Sequence, residues 1–205
     1  MKEKPDYSHE LTEIRSMMER SSRFLSLSGL AGVLAGIYAL VGAYLAYSVI
    51  GFRPASIVSG TGLGLSGITD IILLAIVVLL LAVGTAIFLS WKKAVKRGER
   101  LWNATSRRLL ATMAVPLVAG GLLIVLLIWK DMIGLAAPLT LLFYGLALYS
   151  AGRFTYDEIK FLGLINIALG LISAYFIEYA LLCWALGFGV FHIIYGIYLH
   201  YKYER

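Results

Sequence analysis

The chain has 205 residues, of which 60% are hydrophobic and only 15% are charged. Soluble domains carry about 25% charged residues, so this composition excludes an ordinary soluble domain and indicates a membrane protein. The single cysteine, Cys183, excludes an internal disulfide and a multi-cysteine metal site. The net charge of +6 is explained more simply by basic loops beside anionic lipid than by binding to nucleic acid.

The first 23 residues form a charged segment ahead of the first apolar run. Between Ser8 and Arg23, one helical face carries Leu11, Ile14, Met17 and Met18. We predict that residues 1–23 are a cytoplasmic amphipathic arm. The segment is typical of an interfacial helix that leads into the first span, and the alternative is a docking helix for a cytoplasmic or membrane protein partner.

Residues 24–205 contain six apolar runs, each long enough to cross a bilayer, which takes about 20 residues in a helix. The predicted spans are approximately Phe24–Ile50, Ile68–Trp91, Leu109–Trp129, Ile133–Ala151, Ile159–Ile177 and Tyr179–Tyr201. They form three hairpins, at about 24–91, 109–151 and 159–201, with tight turns at Lys130–Asp131 and around Glu178. The predicted fold is therefore an all-α integral membrane bundle of six helices.

The basic residues fall almost entirely on one side of these six spans. Sixteen of the 18 lysines and arginines lie in the first 23 residues, in the loop 92–108, in the loop 152–160 or after the last span. Only Arg53 and Lys130 lie on the other side. The positive-inside rule then places both termini in the cytoplasm and predicts a multi-pass protein of the bacterial inner membrane.

Glycines recur at corresponding places in the three hairpins. The sequence shows Gly-Leu followed by another glycine seven residues later in the first and fifth spans, at Gly29 and Gly163. Small residues let transmembrane helices approach closely. We therefore predict helix packing at Gly32, Gly36, Gly84, Gly120, Gly145, Gly170 and Gly196.

The last hairpin, GLINIALGLISAYFIEYALLCWALGFGVFHIIYGIYL from Gly163 to Leu199, resembles the short hairpin repeat of bacterial HdeD-like membrane proteins. In that family a Gly-rich apolar helix, a tight turn and a second helix recur three times across six spans. The resemblance implies an inner-membrane protein linked to acid resistance, and it brings no catalytic residues. The rest of the chain resembles small bacterial six-span proteins more generally.

Few polar residues lie inside the apolar runs, where such groups are costly and are candidates for function. His192 lies midway along the sixth span and Asn166 lies in the fifth. Each is predicted to be a hydrogen-bonding residue of the bundle, and the alternative for His192 is a proton relay. Glu178 and Asp70 lie at the outer ends of spans, as solvated carboxylates or as an entry site for a proton or cation.

No catalytic, metal or cofactor motif is identified, and we predict that the protein is not an enzyme and has no cofactor. The first functional hypothesis is a non-catalytic inner-membrane protein that binds a partner or supports envelope stress tolerance. The alternative is a small transporter or channel subunit for a proton, an ion or a small solute, built around Glu178, His192, Asn166 and Asp70. The predicted partners are the lipid bilayer and, through glycine-rich faces, a second copy of the chain.

Overall fold

The computed structural model describes residues 27–55, 64–98 and 101–204. The predicted arm, residues 1–23, lies outside these ranges. The described residues contain helices and turns and no strands. Six of the helical stretches are long and apolar enough to cross a membrane, which confirms the all-α six-helix prediction.

The helices are α1 Gly29–Ser48, α2 Leu65–Lys96, α3 Ala104–Ile128, α4 Ala136–Ala151, α5 Glu158–Tyr175, α6 Ala180–Trp184 and α7 Phe191–Tyr203. Short 3-10 turns precede α4 at Ile133–Leu135 and α6 at Ile177–Tyr179. A π-helical segment, Ala185–Val190, joins α6 to α7. We call Ile177–Tyr203 the last span.

Helix α1 begins at Gly29, five residues after the predicted start, and α3 begins at Ala104, five residues before it. Two further differences are in α2 and in the last span. The second span was predicted to end at Trp91, but α2 has 32 residues and continues to Lys96. Since about 20 residues cross the hydrocarbon core, α2 reaches beyond it. The last span was predicted as one regular helix, and the π-helical segment interrupts it. The run Ala185–Val190 is apolar and glycine-containing, so no hydrophobic pattern marks the wider turn.

The spans are packed in an open series. Helix α1 packs on α2 and on the last span, and α4 packs on α3 and α5. The last span also contacts α4 and α5, which joins the two halves. In the described part of the chain, α2 and α3 lack a contact of comparable extent with each other. They therefore lie at the two open ends of the series.

The contact between α1 and the last span depends on two glycines. A Cβ atom added at Gly196 would lie 2.6 Å from the carbonyl oxygen of Gly29 and 2.6 Å from the amide nitrogen of Val33. A Cβ added at Gly29 would lie 2.5 Å from the Gly196 carbonyl oxygen and 2.6 Å from the His200 nitrogen. The two backbones touch directly here, and any side chain would force them apart.

The contact between α5 and α4 repeats this geometry with corresponding residues. A Cβ added at Gly145 would lie 2.7 Å from the carbonyl oxygen of Gly163 and 2.7 Å from the Ile167 nitrogen. A Cβ added at Gly163 would lie 2.8 Å from the Gly145 oxygen and 2.7 Å from the Tyr149 nitrogen. Gly163 thus takes the place of Gly29, and Gly145 takes the place of Gly196.

The correspondence extends two helical turns further along both interfaces. A Cβ added at Gly36 would lie 2.6 Å from the carbonyl oxygen of Gly189. A Cβ added at Gly170 would lie 3.0 Å from the carbonyl oxygen of Pro138. In both cases the partner lies seven residues before the glycine of the Tyr-Gly pair. The internal repeat seen in the sequence is therefore a repeat of one helix interface.

The three remaining predicted glycines, Gly32, Gly120 and Gly84, differ from one another. Gly32 also lies at the contact of α1 with the last span. A Cβ added at Gly32 would lie 3.2 Å from the Cα of Gly196. Gly120 faces the ring of Phe143 in its own hairpin. An added Cβ at Gly84 meets no atom of the described chain within 4 Å. Gly84 therefore makes no close helix contact within the described chain.

Replacing Gly196 or Gly145 by alanine should destabilise the bundle by about 1–3 kcal/mol, because the new methyl group meets backbone atoms that cannot move aside. Gly84→Ala is the matched control, and it should be neutral or stabilising because it raises helix propensity without a clash. Thermal unfolding of the detergent-solubilised protein measures the difference. Equal behaviour of all three variants would contradict the two interfaces.

Candidate functional site

A buried polar cluster lies where the π-helical segment meets α4 and α5. Its central residue is His192, the second residue of α7, which is 6% exposed. The Nδ1 atom lies 2.7 Å from the Gly187 carbonyl oxygen, and Nε2 lies 3.0 Å from the Tyr144 hydroxyl. A carbonyl oxygen can only accept, so Nδ1 carries a proton. In the neutral ring, Nε2 then accepts a hydrogen bond from Tyr144.

The His192 side chain is bonded to a backbone carbonyl of the π-helical turn. In this segment the Phe191 N–H donates to the Leu186 carbonyl, five residues back. The His192 side chain bonds to the Gly187 carbonyl, which is also five residues back. Single π-helical turns are rare and occur frequently at functional sites. This turn places the imidazole ring against α4.

Aromatic side chains hold the last span against α4. Trp184, Phe188 and His192 follow one another at intervals of four residues and lie on one face. The ring of Phe188 is 5.0 Å from that of Trp184 and 4.9 Å from that of Tyr144, measured between centroids. The Trp184 indole N–H donates to the Thr140 hydroxyl, at 3.2 Å. Thr140 and Tyr144 are one turn apart on α4, so the two helices are joined by two polar contacts.

Asn166 of α5 reaches the same segment from the other side. It is fully buried, and its amide nitrogen donates to the Leu162 carbonyl at 2.8 Å. Its Oδ1 atom has no hydrogen-bond partner in the described chain. A Cβ added at Gly187 would lie 2.8 Å from that oxygen. Asn166 and His192 therefore meet at Gly187. Asn166 faces the Cα of Gly187, and His192 is bonded to its carbonyl oxygen.

A second buried acceptor lies one turn beyond His192. The Tyr195 hydroxyl is buried and has no partner among the described residues. Its side chain packs against the core cluster that contains Leu148, Tyr156 and Leu199. Buried polar atoms are nearly always hydrogen-bonded, to protein or to ordered water. Asn166 and Tyr195 thus each carry a buried oxygen without a partner in the described chain.

Glu178 and Asp70 are not part of this cluster. Glu178 lies exposed in the turn Ile177–Tyr179, and Asp70 lies exposed near the beginning of α2. In the described chain, no hydrogen bond or ion pair links either carboxylate to His192 or Asn166. The four candidate residues of the sequence thus separate into a buried pair and two exposed carboxylates.

The structure also contains an ionic cluster that the sequence did not indicate. It lies at the end of the bundle where α1 begins and α7 ends, and its centre is Glu204. The carboxylate accepts hydrogen bonds from the Gly29 N–H at 2.8 Å, from Lys93 at 2.9 Å and from His200 at 2.6 Å. Lys93 also donates to the Leu27 carbonyl at 2.5 Å.

Glu204 therefore binds the N-terminus of α1, where the helix dipole favours a negative charge. Its side chain is only 12% exposed. Burial alone would raise the pKa of this carboxyl, but the three donors outweigh it and lower the pKa to about 2. In the sequence, Lys93 is one of the basic residues of the loop 92–108, which were explained by contact with anionic lipid and by the orientation of the protein in the membrane. The sequence feature that could have indicated this cluster is a glutamate four residues after His200, in the charged segment that follows the last apolar run.

Comparisons with known proteins add no chemistry to these sites. No family model, no curated protein and no solved structure matches the chain. The resemblance of the last hairpin to HdeD-like proteins stays a prediction.

The stability of the folded protein should fall as the pH is lowered from about 4.5 towards 2. The lowered pKa of Glu204 means that its charged form is favoured by folding, so its contribution is complete above the ordinary value of 4.5. The contribution of Glu204 to stability is lost as its carboxyl takes up a proton between pH 4.5 and about pH 2. Thermal unfolding at a series of pH values measures this slope.

Glu204→Gln should flatten that slope and lower the stability at neutral pH. Glu178→Gln is the control, because Glu178 is an exposed carboxylate in a turn. A slope that survives in Glu204→Gln but disappears in Glu178→Gln would contradict the assignment.

Proposed function

We propose that the chain is a non-catalytic protein of the bacterial inner membrane that acts by binding another polypeptide within the bilayer. The proposal rests on one observation: the repeated glycine interface is formed in two places, and the corresponding glycine of the first hairpin has no helix packed on it in the described chain. Gly145 and Gly196 each receive a neighbouring helix at backbone contact, and Gly84, at the corresponding place in the first hairpin, receives none in the described chain.

Burial supports the same conclusion. In four of the six spans, 33% to 39% of the most apolar window is buried inside the protein. In α2 the value is 0%, and in α3 it is 6%. These two helices are also the most apolar. Lipid tails satisfy an apolar face but leave a glycine with little to pack against, whereas helices associate through such small residues.

The orientation belongs to the same proposal. The excess of basic residues on one side of the spans supports a cytoplasmic location of both termini. Trp91, Trp102 and Trp129 are all exposed and lie near span ends, as aromatic residues do at membrane interfaces. The role in envelope stress tolerance rests on the resemblance of the last hairpin alone.

A photo-crosslinking amino acid at position 84 tests the binding of a partner. After irradiation of intact membranes, position 84 should give discrete crosslinked species larger than the monomer. Position 161 is the control, because Phe161 lies on α5 and is 68% exposed. If both positions give only lipid adducts, the surface around Gly84 is ordinary lipid-facing surface and the proposal fails.

A second candidate function is transport of protons or of a small polar solute. It is favoured by a specific observation, the buried unpartnered oxygens of Asn166 and Tyr195 in a bundle that also contains the buried Tyr144–His192 hydrogen bond. Ionisable and polar residues inside a membrane are costly, and they mark ion and proton paths. On this hypothesis ordered water bridges Tyr195 and Tyr144, and His192 exchanges a proton at Nε2.

Proteoliposomes with an internal pH-sensitive dye test this function under an imposed membrane potential. The wild-type protein should carry protons faster than empty vesicles, and Tyr195→Phe should abolish the difference. This variant breaks no hydrogen bond of the described chain, so a loss would not reflect unfolding. Tyr198→Phe, an exposed tyrosine of the same helix, is the control. Equal rates in wild-type and empty vesicles would exclude proton transport.

A further inference from the structure

We propose that the bundle consists of two rigid bodies and that the π-helical segment Ala185–Val190 is the hinge between them. The first, which we call the α1 body, contains α1, α2 and α7. The second, the α4 body, contains α3, α4, α5, α6 and the turns between them. Rotation at the hinge separates α7 from α4 and α5. The two bodies are independent of the proposed partner at Gly84.

The last span changes its packing partner within the π-helical segment. The atoms nearest to a Cβ added at Gly187 belong to side chains of α4 and α5, with the Asn166 Oδ1 at 2.8 Å. A Cβ added at Gly189 instead meets α1, at 2.7 Å from the Leu40 Cγ and 3.7 Å from the Gly36 carbonyl oxygen. On either side, α6 packs mainly on α4 and α5, and α7 packs mainly on α1. The last span therefore passes from one body to the other between Gly187 and Gly189.

Within each body, the central pair of helices is in backbone contact. Gly29 and Gly196 join α1 to α7, and Gly145 and Gly163 join α4 to α5. Small residues allow this close approach, and a shift of one helix along the other would drive main-chain atoms into one another. Helix α2 is packed on α1, and α3 is packed on α4. Each body therefore moves as a unit.

Between the bodies, the contacts described so far are made by side chains. Leu199 of α7 packs into a cluster whose other buried members, Leu148, Tyr156, Ile159 and Leu162, belong to the α4 body. At the level of the hinge, the Tyr144 hydroxyl of α4 lies 3.0 Å from the His192 Nε2 of α7. Side-chain contacts and ion pairs at an interface are the ones that repack when rigid bodies rotate. This interface is therefore the one that opens.

Polar contacts hold the two bodies together at the end of the bundle where α7 ends. Glu158, in the first turn of α5, accepts a hydrogen bond from the Tyr203 hydroxyl at 2.9 Å and forms an ion pair with Lys202. We call these three residues the latch. Lys93 of α2 also donates to the Tyr156 hydroxyl, at 3.4 Å. Ion pairs at a protein surface contribute little to stability, so the latch holds the bodies reversibly.

The local structure of the last span is suited to a hinge. Sharp kinks in helices occur at π-helical turns, among a few other causes, and such turns are frequent at functional sites. Here the Phe191 N–H bonds to the Leu186 carbonyl instead of the carbonyl four residues back. A return to the four-residue bond changes the direction of α7 relative to α6. His192, bonded to the Gly187 carbonyl at 2.7 Å, spans the same step.

Distances between pairs of spin labels, measured by double electron–electron resonance in nanodiscs, test the two bodies. The labels are attached in a Cys183→Ser background to cysteines at exposed positions, namely Val95, Val115, Phe161, Leu182 and Ile197. The pair 115–197 joins the two bodies. The pair 95–197 lies within the α1 body, and the pair 115–161 lies within the α4 body.

Glu158→Gln removes the charge of the latch and should shift the protein towards the open form. A second, longer 115–197 distance should appear, or gain at least twofold in population, while the 95–197 and 115–161 distances stay as in the wild type. Asp157→Asn is the matched control, because Asp157 pairs with Lys160 of its own body. It should leave all three distances unchanged.

Position 182 locates the hinge, because Leu182 is on α6 and Ile197 is on α7. The 115–182 distance should stay fixed when the 115–197 distance lengthens. If both lengthen, the last span moves as one helix and the hinge is wrong. A change in the 95–197 or the 115–161 distance would contradict rigid bodies. If the 115–197 distance stays single and unchanged in Glu158→Gln and in the double variant Glu158→Gln, Tyr203→Phe, the bundle does not open and the proposal fails.

Discussion

Direct contact between helix backbones is the constraint on which this structure depends. In a bilayer, lipid tails are as apolar as leucine, so helices associate through close packing rather than through the removal of apolar surface from water. The contacts of Gly29 with Gly196 and of Gly145 with Gly163 fix α1 on the last span and α5 on α4. These two pairs position the helices that carry His192 and Asn166.

The six spans and the glycine repeat could be predicted from the sequence, because both depend on local patterns of apolar and small residues. The partner of each glycine could not. A glycine in a hairpin is naturally expected to pack on the other span of the same hairpin. Gly196 instead packs on Gly29 of the first span, which lies 167 positions away in the chain. The seven-residue spacing identifies a packing face and does not say which helix occupies it.

The candidate site shows the same division between local and distant information. His192 and Asn166 stand out in the sequence because polar residues are rare within apolar runs. Their meeting at Gly187 depends on the π-helical turn, and the apolar run Ala185–Val190 carries no signal for it. The Lys93–Glu204 ion pair was missed for a related reason, since 111 positions separate the two residues and each alone is typical of a charged loop.

The two formed interfaces differ at the positions that carry polar groups. Asn166 occupies the place on α5 that Gly32 occupies on α1, and His192 occupies the place on the last span that Leu141 occupies on α4. The shared residues are the glycines that bring the backbones together and the tyrosine before each of Gly145 and Gly196, Tyr144 and Tyr195. The polar cluster therefore combines tyrosines that the repeats share with His192 and Asn166, which only one repeat carries. A repeated interface supplies the architecture, and His192 and Asn166 are its polar departures.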